Sequence, residues 1–389
     1  MTTQPKKRPI YLDYHSTTPV DPRVAEKVVY FMTTAFGNPS SVTHSYSDEA
    51  EEAVKIAREN VAELIGADPK EIIFTSGATE SINLALLGCI QKDSGSKQRV
   101  AVLPVEHKAI ITTCKKLEKC ESLEIVYLKV DSVGKIDLDF LEKICSEGIS
   151  LLCVMAANNE IGNIYPIEKI GEIAEKYSIP FLCDATQAIG KIPVHFHDSK
   201  ITMLALSAHK MYGPKGIGAL VIKKGFNLKP ILCGGGQQKG IRPGTLNVPG
   251  IVGLGEACRI RKLEMEEDEK NIRIKRDRMQ HILEDSIPNL IINGDINAKL
   301  AGNLSISIPN IHNADVIAKV RDKVAISTGS ACTSGFEAPS HVLEALELSE
   351  KIIGGTLRIG IGKYTTDSEI DEASEIIIAA ISQLQNINV

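Results

Sequence analysis

From about Leu64 onward, short apolar runs alternate with longer segments of helical period, and this alternation limits the possible folds of the 389-residue chain more than any other feature. Runs of about four to eight apolar residues bounded by turn residues suit strands buried on both faces, and amphipathic stretches of about ten or more suit the helices that cover them. The runs predict strands at 72–75, 100–104, 124–128, 151–156, 181–183, 203–206 and 218–222, with helices such as 80–89, 108–117 and 167–176 between them. Strands alternating with helices predict an α/β fold with a mainly parallel mixed sheet flanked by helices. The stretch 259–278 mixes both charge signs with interspersed apolar residues, as a long half-exposed helix does. After it the chain restarts as strand, helix and turn. A large domain over 15–260 is therefore expected, with 1–14 and 261–389 forming a smaller α/β domain.

Composition excludes more than it assigns. Hydrophobic residues make up 43% of the chain, enough for a large core, and a net charge of −5 gives no general attraction for nucleic acid or an anionic membrane. Lys6, Lys7 and Arg8 precede no apolar signal segment, and no apolar stretch is long enough to span a bilayer, so a cytoplasmic protein is expected. The nine cysteines include no C-x-x-C pair, which argues against a zinc site or a disulfide framework. Most of them, such as Cys153 and Cys183, sit in apolar company as small core residues. Cys332 is the exception.

Chemistry-bearing residues collect at the predicted strand ends, where an α/β sheet places its ligands. Lys210, in Ser207-Ala208-His209-Lys210, follows the run 201–206, and a lysine there can form a Schiff base; a solvated loop cation is the plainer alternative. Asp184 closes the run 179–183, with Gln187 three residues on. A carboxylate in that place either caps the following helix or keeps a pyridine nitrogen protonated, and the second task belongs to pyridoxal phosphate. Gln187 can reach that ring's phenolic oxygen. Thr75-Ser76-Gly77-Ala78-Thr79-Glu80-Ser81 joins a strand to a helix, and its small residues expose backbone amides that suit a phosphate. His107 and Asn159 each follow an apolar strand, and an imidazole at 107 can stack on a ring and handle protons. In 327–335 the thiol of Cys332 is ringed by small polar residues and glycine, which predicts an accessible nucleophile.

These elements, in this order, resemble the cysteine desulfurases of the NifS and IscS type, within the class V aminotransferase group of pyridoxal-phosphate enzymes of fold type I. The resemblance runs from Tyr11-Leu12-Asp13-Tyr14 through Phe36-Gly37-Asn38-Pro39-Ser40 and Asn158-Asn159-Glu160-Ile161-Gly162 to Thr356-Leu357-Arg358-Ile359-Gly360. It implies that Lys210 tethers the cofactor, Asp184 pairs with the pyridine nitrogen, Gln187 and Asn159 contact the ring oxygen, and His107 stacks on the ring. It further implies that Ala78, Thr79, Ser207 and His209 hold the phosphate, and that Arg358 grips the substrate carboxylate with help from Asn159. Thr245, in Arg242-Pro243-Gly244-Thr245, resembles the residue that reaches the phosphate of a partner subunit, so a homodimer is implied.

The activity implied is conversion of L-cysteine to L-alanine, with the sulfur held on Cys332, in a loop at about 327–340, as a persulfide. A sulfur acceptor, either an iron–sulfur scaffold or a thiolation enzyme, would then take it. Ala156, Ala157 and Pro243 depart from the residues more usual in such proteins, and the chain carries no long tail beyond its final helix of the kind with which housekeeping members bind their scaffold. Two other readings stay open on the sequence: a class V aminotransferase or selenocysteine lyase, which amino transfer to a keto acid without sulfide release would favour, and a sulfur-relay or assembly platform, which function without Lys210 would favour.

Overall fold

The computed structural model describes residues 8–90, 98–120, 123–328 and 339–387, so the predicted nucleophile Cys332 lies outside the described residues. In chain order the strands are β1 (Ile10–Tyr11), β2 (Ile72–Thr75), β3 (Gln98–Val102), β4 (Leu123–Tyr127), β5 (Leu151–Cys153), β6 (Phe181–Asp184), β7 (Met203–Ser207), β8 (Gly218–Ile222), β9 (Ile291–Ile292), β10 (Asn303–Ser307), β11 (Val324–Ala325) and β12 (Thr356–Gly360). β2 to β8 form one sheet in the order β2-β8-β7-β6-β5-β3-β4. All of its strands run parallel except β8, which lies antiparallel between β7 and β2.

The unbroken apolar runs have a direct cause in this sheet. Phe181 and Cys183 of β6 face a core shared with helices Ser45–Ile65 and Ile167–Lys176, while Leu182 faces the opposite core, shared with Ala78–Cys89 and Lys108–Lys119. Successive side chains point to opposite faces, and both faces are covered, so every position must be apolar. The run at 151–156 is assigned as strand only to Cys153, yet its ladder toward β6 continues, with Val154 N–H donating to Leu182 O and Ala156 N–H to Asp184 O. Helix Ile167–Lys176 packs unusually close to its neighbour: a Cβ built on Gly171 would lie 1.9 Å from the Ser199 carbonyl oxygen. Gly171→Ala is expected to destabilise the fold by about 1–3 kcal/mol, measured by denaturant unfolding; an unchanged midpoint would show that the helix can shift at no cost.

The charged helix is longer than its charge pattern suggested. It spans Val248–Ser286, 39 residues, because Asn247 caps it by accepting from Gly250 N–H and an apolar, glycine-containing first half precedes the charged part. That first half (Ile251, Leu254, Cys258) packs in the core of the seven-stranded sheet, and its second half (Ile272, Met279, Leu283) packs in a separate core with Leu304, Ile306, Leu357 and Ile359. The second core is built on the antiparallel sheet β12-β10-β9 and also takes Ile10 and Leu12 from the start of the chain. β1 pairs in parallel with β11, and Gly360 N–H donates to Leu12 O at 2.8 Å. Residues 13–18 are thereby led from the second core across to the strand ends of the large sheet. Among the described residues no helix is long and apolar enough to cross a membrane.

Candidate active site

A cavity of about 620 Å³ opens at the carboxyl ends of the parallel strands. Its walls include Lys210, Asp184, His107, Asn159 and Gln187, and also Ala78, Thr79, Ser207, His209 and Arg358. β3 and β5 are neighbours from which the chain runs outward in both directions, and at such a switch point the turns after the strands diverge and leave a crevice. His107 follows β3 and Asn159 follows β5, so both flank it.

At one end of the cavity, Gly77 precedes helix Ala78–Cys89 with φ 150°, a backbone angle that side chains oppose, and no side chain caps this helix. The Ser76 amide is taken by Glu80 Oε2 at 2.7 Å, and Glu80 is in turn held by Arg242 Nε at 2.8 Å. The Gly77 amide donates to Thr75 Oγ1 at 3.3 Å, but the first amides of the helix itself have no side-chain cap, and with Ser207, His209 and Lys215 in the same walls they form a donor set that fits a phosphate. A Cβ at Gly218 of β8 would meet Gly77 Cα at 2.8 Å, so glycine at 218 is what lets this loop lie against the sheet. His209 accepts or shares a proton with Thr17 Oγ1 at 3.2 Å, and burial, aided by the charges of Lys210 and Lys215, pulls its pKa down to about 4. It is therefore neutral near pH 7.

Lys210 sits in the short turn after β7 and donates to the carbonyl oxygens of His15 (2.6 Å) and Ser16 (2.7 Å). Burial, with the Arg358 charge nearby, lowers its pKa to about 8, so a substantial fraction of the amine is nucleophilic at neutral to mildly alkaline pH. Asp184, the last residue of β6, is buried and accepts from Thr186 N–H at 3.0 Å, a local turn rather than a helix cap. A second carboxyl, Glu106, is fully buried and accepts from Met155 N–H at 2.5 Å; burial and the charge of Asp184 push it well above the usual carboxylate range.

His107 caps helix Lys108–Lys119, its Nδ1 accepting from Ala109 N–H at 3.1 Å. Because that nitrogen accepts, the neutral ring carries its proton on Nε2. Burial lowers its pKa, with the charge of Asp184 opposing the shift. Arg358, on β12, donates to Asn159 O (3.1 Å), Asp13 Oδ1 (2.8 Å) and Ser16 Oγ (2.7 Å), which orients its planar fork. Gln187 donates to His15 O at 2.9 Å and accepts from Lys191 Nζ at 2.7 Å.

Two predicted residues are not in these walls. Thr245 is exposed on the loop before the long helix and does not line the cavity of its own chain. Cys332 lies outside the described residues, but the positions on either side of its segment are anchored at the cavity. Ser327 pairs with Arg358 through N–H to O bonds of 3.2 and 2.7 Å, and Ser340 Oγ donates to Glu160 Oε2 at 2.5 Å, next to His341 in the cavity wall. The sequence reading missed His15, Ser16 and Thr17, which close over Lys210, and His341, whose Nε2 donates to Glu106 O at 2.8 Å. The only signal for the first three was a dense run of polar side chains, Asp13 to Thr18, directly after a short apolar strand.

Residues 10–373 match the aminotransferase class-V family. The chain is 44% identical over 382 residues to the protein "Cysteine desulfurase IscS" of Rickettsia typhi, covering 98% of this chain and 93% of that one. Among solved structures, a "NIFS-LIKE PROTEIN" superposes with a TM-score of 0.90 at 36% identity, covering 97% of this chain and all of that one. "SspA in complex with cysteine" superposes with a TM-score of 0.80 at 35% identity, covering 92% and 99% of the two chains.

Proposed function

The chain belongs to the aminotransferase class-V family, and from that premise we propose that it is a cysteine desulfurase that uses pyridoxal 5'-phosphate to convert L-cysteine to L-alanine, taking the sulfur onto Cys332 as a persulfide. The observation that carries this reading is the convergence of Lys210, Asp184, His107 and Arg358, from four separate segments, on a single cavity where both flanks of the Cys332 segment are anchored.

The residues present suit the cofactor. Ala78, Thr79, Ser207 and His209 would hold its phosphate, Asp184 its ring nitrogen, Gln187 and Asn159 its ring oxygen, and His107 would cover the ring. When bound, the cofactor supplies an electron-withdrawing ring that stabilises negative charge on the substrate's α-carbon. Lys210, with its lowered pKa, would tether it, and the free amine of Lys210 would take and return a proton at that carbon. Arg358, its planar group oriented by Asn159, Asp13 and Ser16, would donate to the substrate carboxylate, with Asn159 beside it. The Cys332 thiolate would form a bond to the substrate sulfur as the bond from that sulfur to the β-carbon breaks; the electron pair of the broken bond goes to the β-carbon, which takes the proton of His107 Nε2–H and becomes the methyl group of alanine. Holoenzyme given L-cysteine should release alanine in proportion to acceptor thiol, with persulfide recovered on Cys332 by mass spectrometry. Amino transfer to a keto acid with no alanine from cysteine would overturn the assignment.

Two smaller tests arise from the same geometry. Arg358→Lys replaces a planar fork by a point charge, so KM for L-cysteine is expected to rise by about 10- to 100-fold with a smaller change in kcat. In cofactor-free protein, the labelling rate of Lys210 by an amine reagent should climb with pH to a midpoint near 8. The amine reacts only when deprotonated, and exposed lysines titrate near 10.4. A midpoint above 10 would show that burial does not tune this amine.

The same reading extends to assembly. Val29, Met32, Phe36, Val42 and Tyr46 are exposed apolar residues on and between helices Pro22–Thr33 and Ser45–Ile65, and Thr245 is exposed and away from its own cavity. Both features support a homodimer in which Thr245 serves the partner's phosphate. A monomer by sedimentation equilibrium would refute it. The two cores support a division into 15–260 and 1–14 with 261–389, with Leu300, Val342, Leu343 and Leu346 of the second part packing into the first core. A cytoplasmic location, and delivery of sulfur to an iron–sulfur scaffold or a thiolation enzyme, complete the proposal. Capture of the labelled persulfide by an acceptor protein tests the delivery.

A further inference from the structure

Gln187 is placed to contact the cofactor's ring oxygen, but a side-chain amide offers that oxygen either an N–H or a carbonyl, and only the first is attractive to an anionic oxygen. Something must therefore choose between the two orientations. Two neighbours of Gln187 bear on the choice. The carbonyl oxygen of His15 receives Gln187 Nε2–H at 2.9 Å, and that same oxygen receives Lys210 Nζ at 2.6 Å. On the other side Lys191 Nζ donates to Gln187 Oε1 at 2.7 Å, with His15 Nδ1 at 3.3 Å from the same oxygen.

We propose that Lys191 is a positioning residue, which fixes the Gln187 amide so that an N–H of Nε2 is presented to the cofactor's ring oxygen. An ammonium donates and never accepts, so a flipped amide would set its NH₂ against the Lys191 ammonium and its oxygen against the His15 carbonyl. In the orientation found, Nε2 spends one hydrogen on His15 O and keeps the second for the cavity. The His15 carbonyl alone is a less constant guide, because its other donor, Lys210, changes partners when it tethers the cofactor.

The ammonium of Lys191 is set among Glu269 and Arg261 of the long helix and within the field of Lys210 and Arg358. Burial lowers its pKa to about 7, with the Glu269 carboxylate opposing that shift, so Lys191 is an ammonium below pH 7 and fixes the amide most firmly there, which makes about pH 6 the condition for comparing variants. Glu269 is also bonded to Arg261, whose guanidinium Nε donates to Gly190 O at 2.7 Å, beside Lys191 in the chain. The long helix thus braces the turn that carries both Gln187 and Lys191.

This inference rests on the cofactor reading above, and the test separates the two. Wild type, Lys191→Met, Gln187→Leu and the double variant would be compared by the dissociation constant of pyridoxal phosphate and by the pH midpoint of the cofactor's visible band. A colourless wild-type holoprotein would sink the cofactor reading itself. With a coloured wild type, K191M is expected to weaken cofactor binding by about tenfold, the scale of one charge-assisted hydrogen bond. Its band midpoint should also shift, Gln187→Leu should weaken binding by a similar factor, and the double variant by no more than the larger single effect. Lys191→Arg, which also only donates, should bind within about twofold of wild type. If K191M binds like wild type, or if its loss persists in full when Leu stands at 187, Lys191 does not act through Gln187 and the inference fails. Should K191M not fold, Lys191→Gln takes its place. Its amide can either donate or accept, so a loss of about two- to threefold is expected, and no loss would overturn the proposal.

Discussion

Lys210→Ala is expected to lower alanine formation from L-cysteine by about four orders of magnitude or more, because it removes both the tether and the group that moves the α-proton. The variant should also lose the visible band of the tethered cofactor, while far-ultraviolet circular dichroism and the denaturation midpoint stay close to wild type. The side chain's bonds, to His15 O and Ser16 O, leave two carbonyls that water entering the emptied cavity can satisfy, so the fold has little reason to fail. A small exogenous amine should restore part of the activity if proton transfer is the missing function. Activity above about one per cent of wild type without added amine would remove Lys210 from its assigned role.

Cys332→Ser is expected to give a loss of comparable size, at least about 10³-fold, with the opposite spectroscopic outcome. A hydroxyl is a far poorer nucleophile toward sulfur than a thiolate, so persulfide formation stops, whereas cofactor binding, the visible band and its change on adding L-cysteine remain. The two variants together divide the site into a part that activates the substrate and a part that accepts the sulfur. Retained alanine production by C332S would show that the sulfur leaves by another route, and the assignment of Cys332 would fail with the rest of the site intact.

Much of the site was visible in one dimension because an α/β sheet delivers its loops to one edge. Asp184, Lys210, His107 and Asn159 each follow an apolar run, and since the strands bearing them are parallel, the position just past each run lies on the same side of the sheet. Two-sided burial explains why the runs could be read without a structure, since Phe181-Leu182-Cys183 must be apolar at every step to fill two cores at once. The first half of helix Val248–Ser286 was not read as helix, because Val248 to Cys258 is apolar and glycine-rich except for the buried, ion-paired Glu256, and a helix buried nearly all round has no amphipathic period to detect.

Chain order and local chemistry were thus enough to read the strands of the large sheet, its loop edge and the presence of Asp184 and Lys210 at that edge, since these depend on strand length, turn residues and side-chain type. They were not enough to place His15, Ser16 and Thr17 over Lys210, to join Ser327 to Arg358, or to set Lys191 behind Gln187 with Glu269 and Arg261 beyond it. Apart from the bond between Lys191 and Gln187, which are four residues apart, those contacts link segments tens to hundreds of residues apart. Such pairings carry no periodic trace along the chain and arise only when two hydrophobic cores pack and bring their edges together.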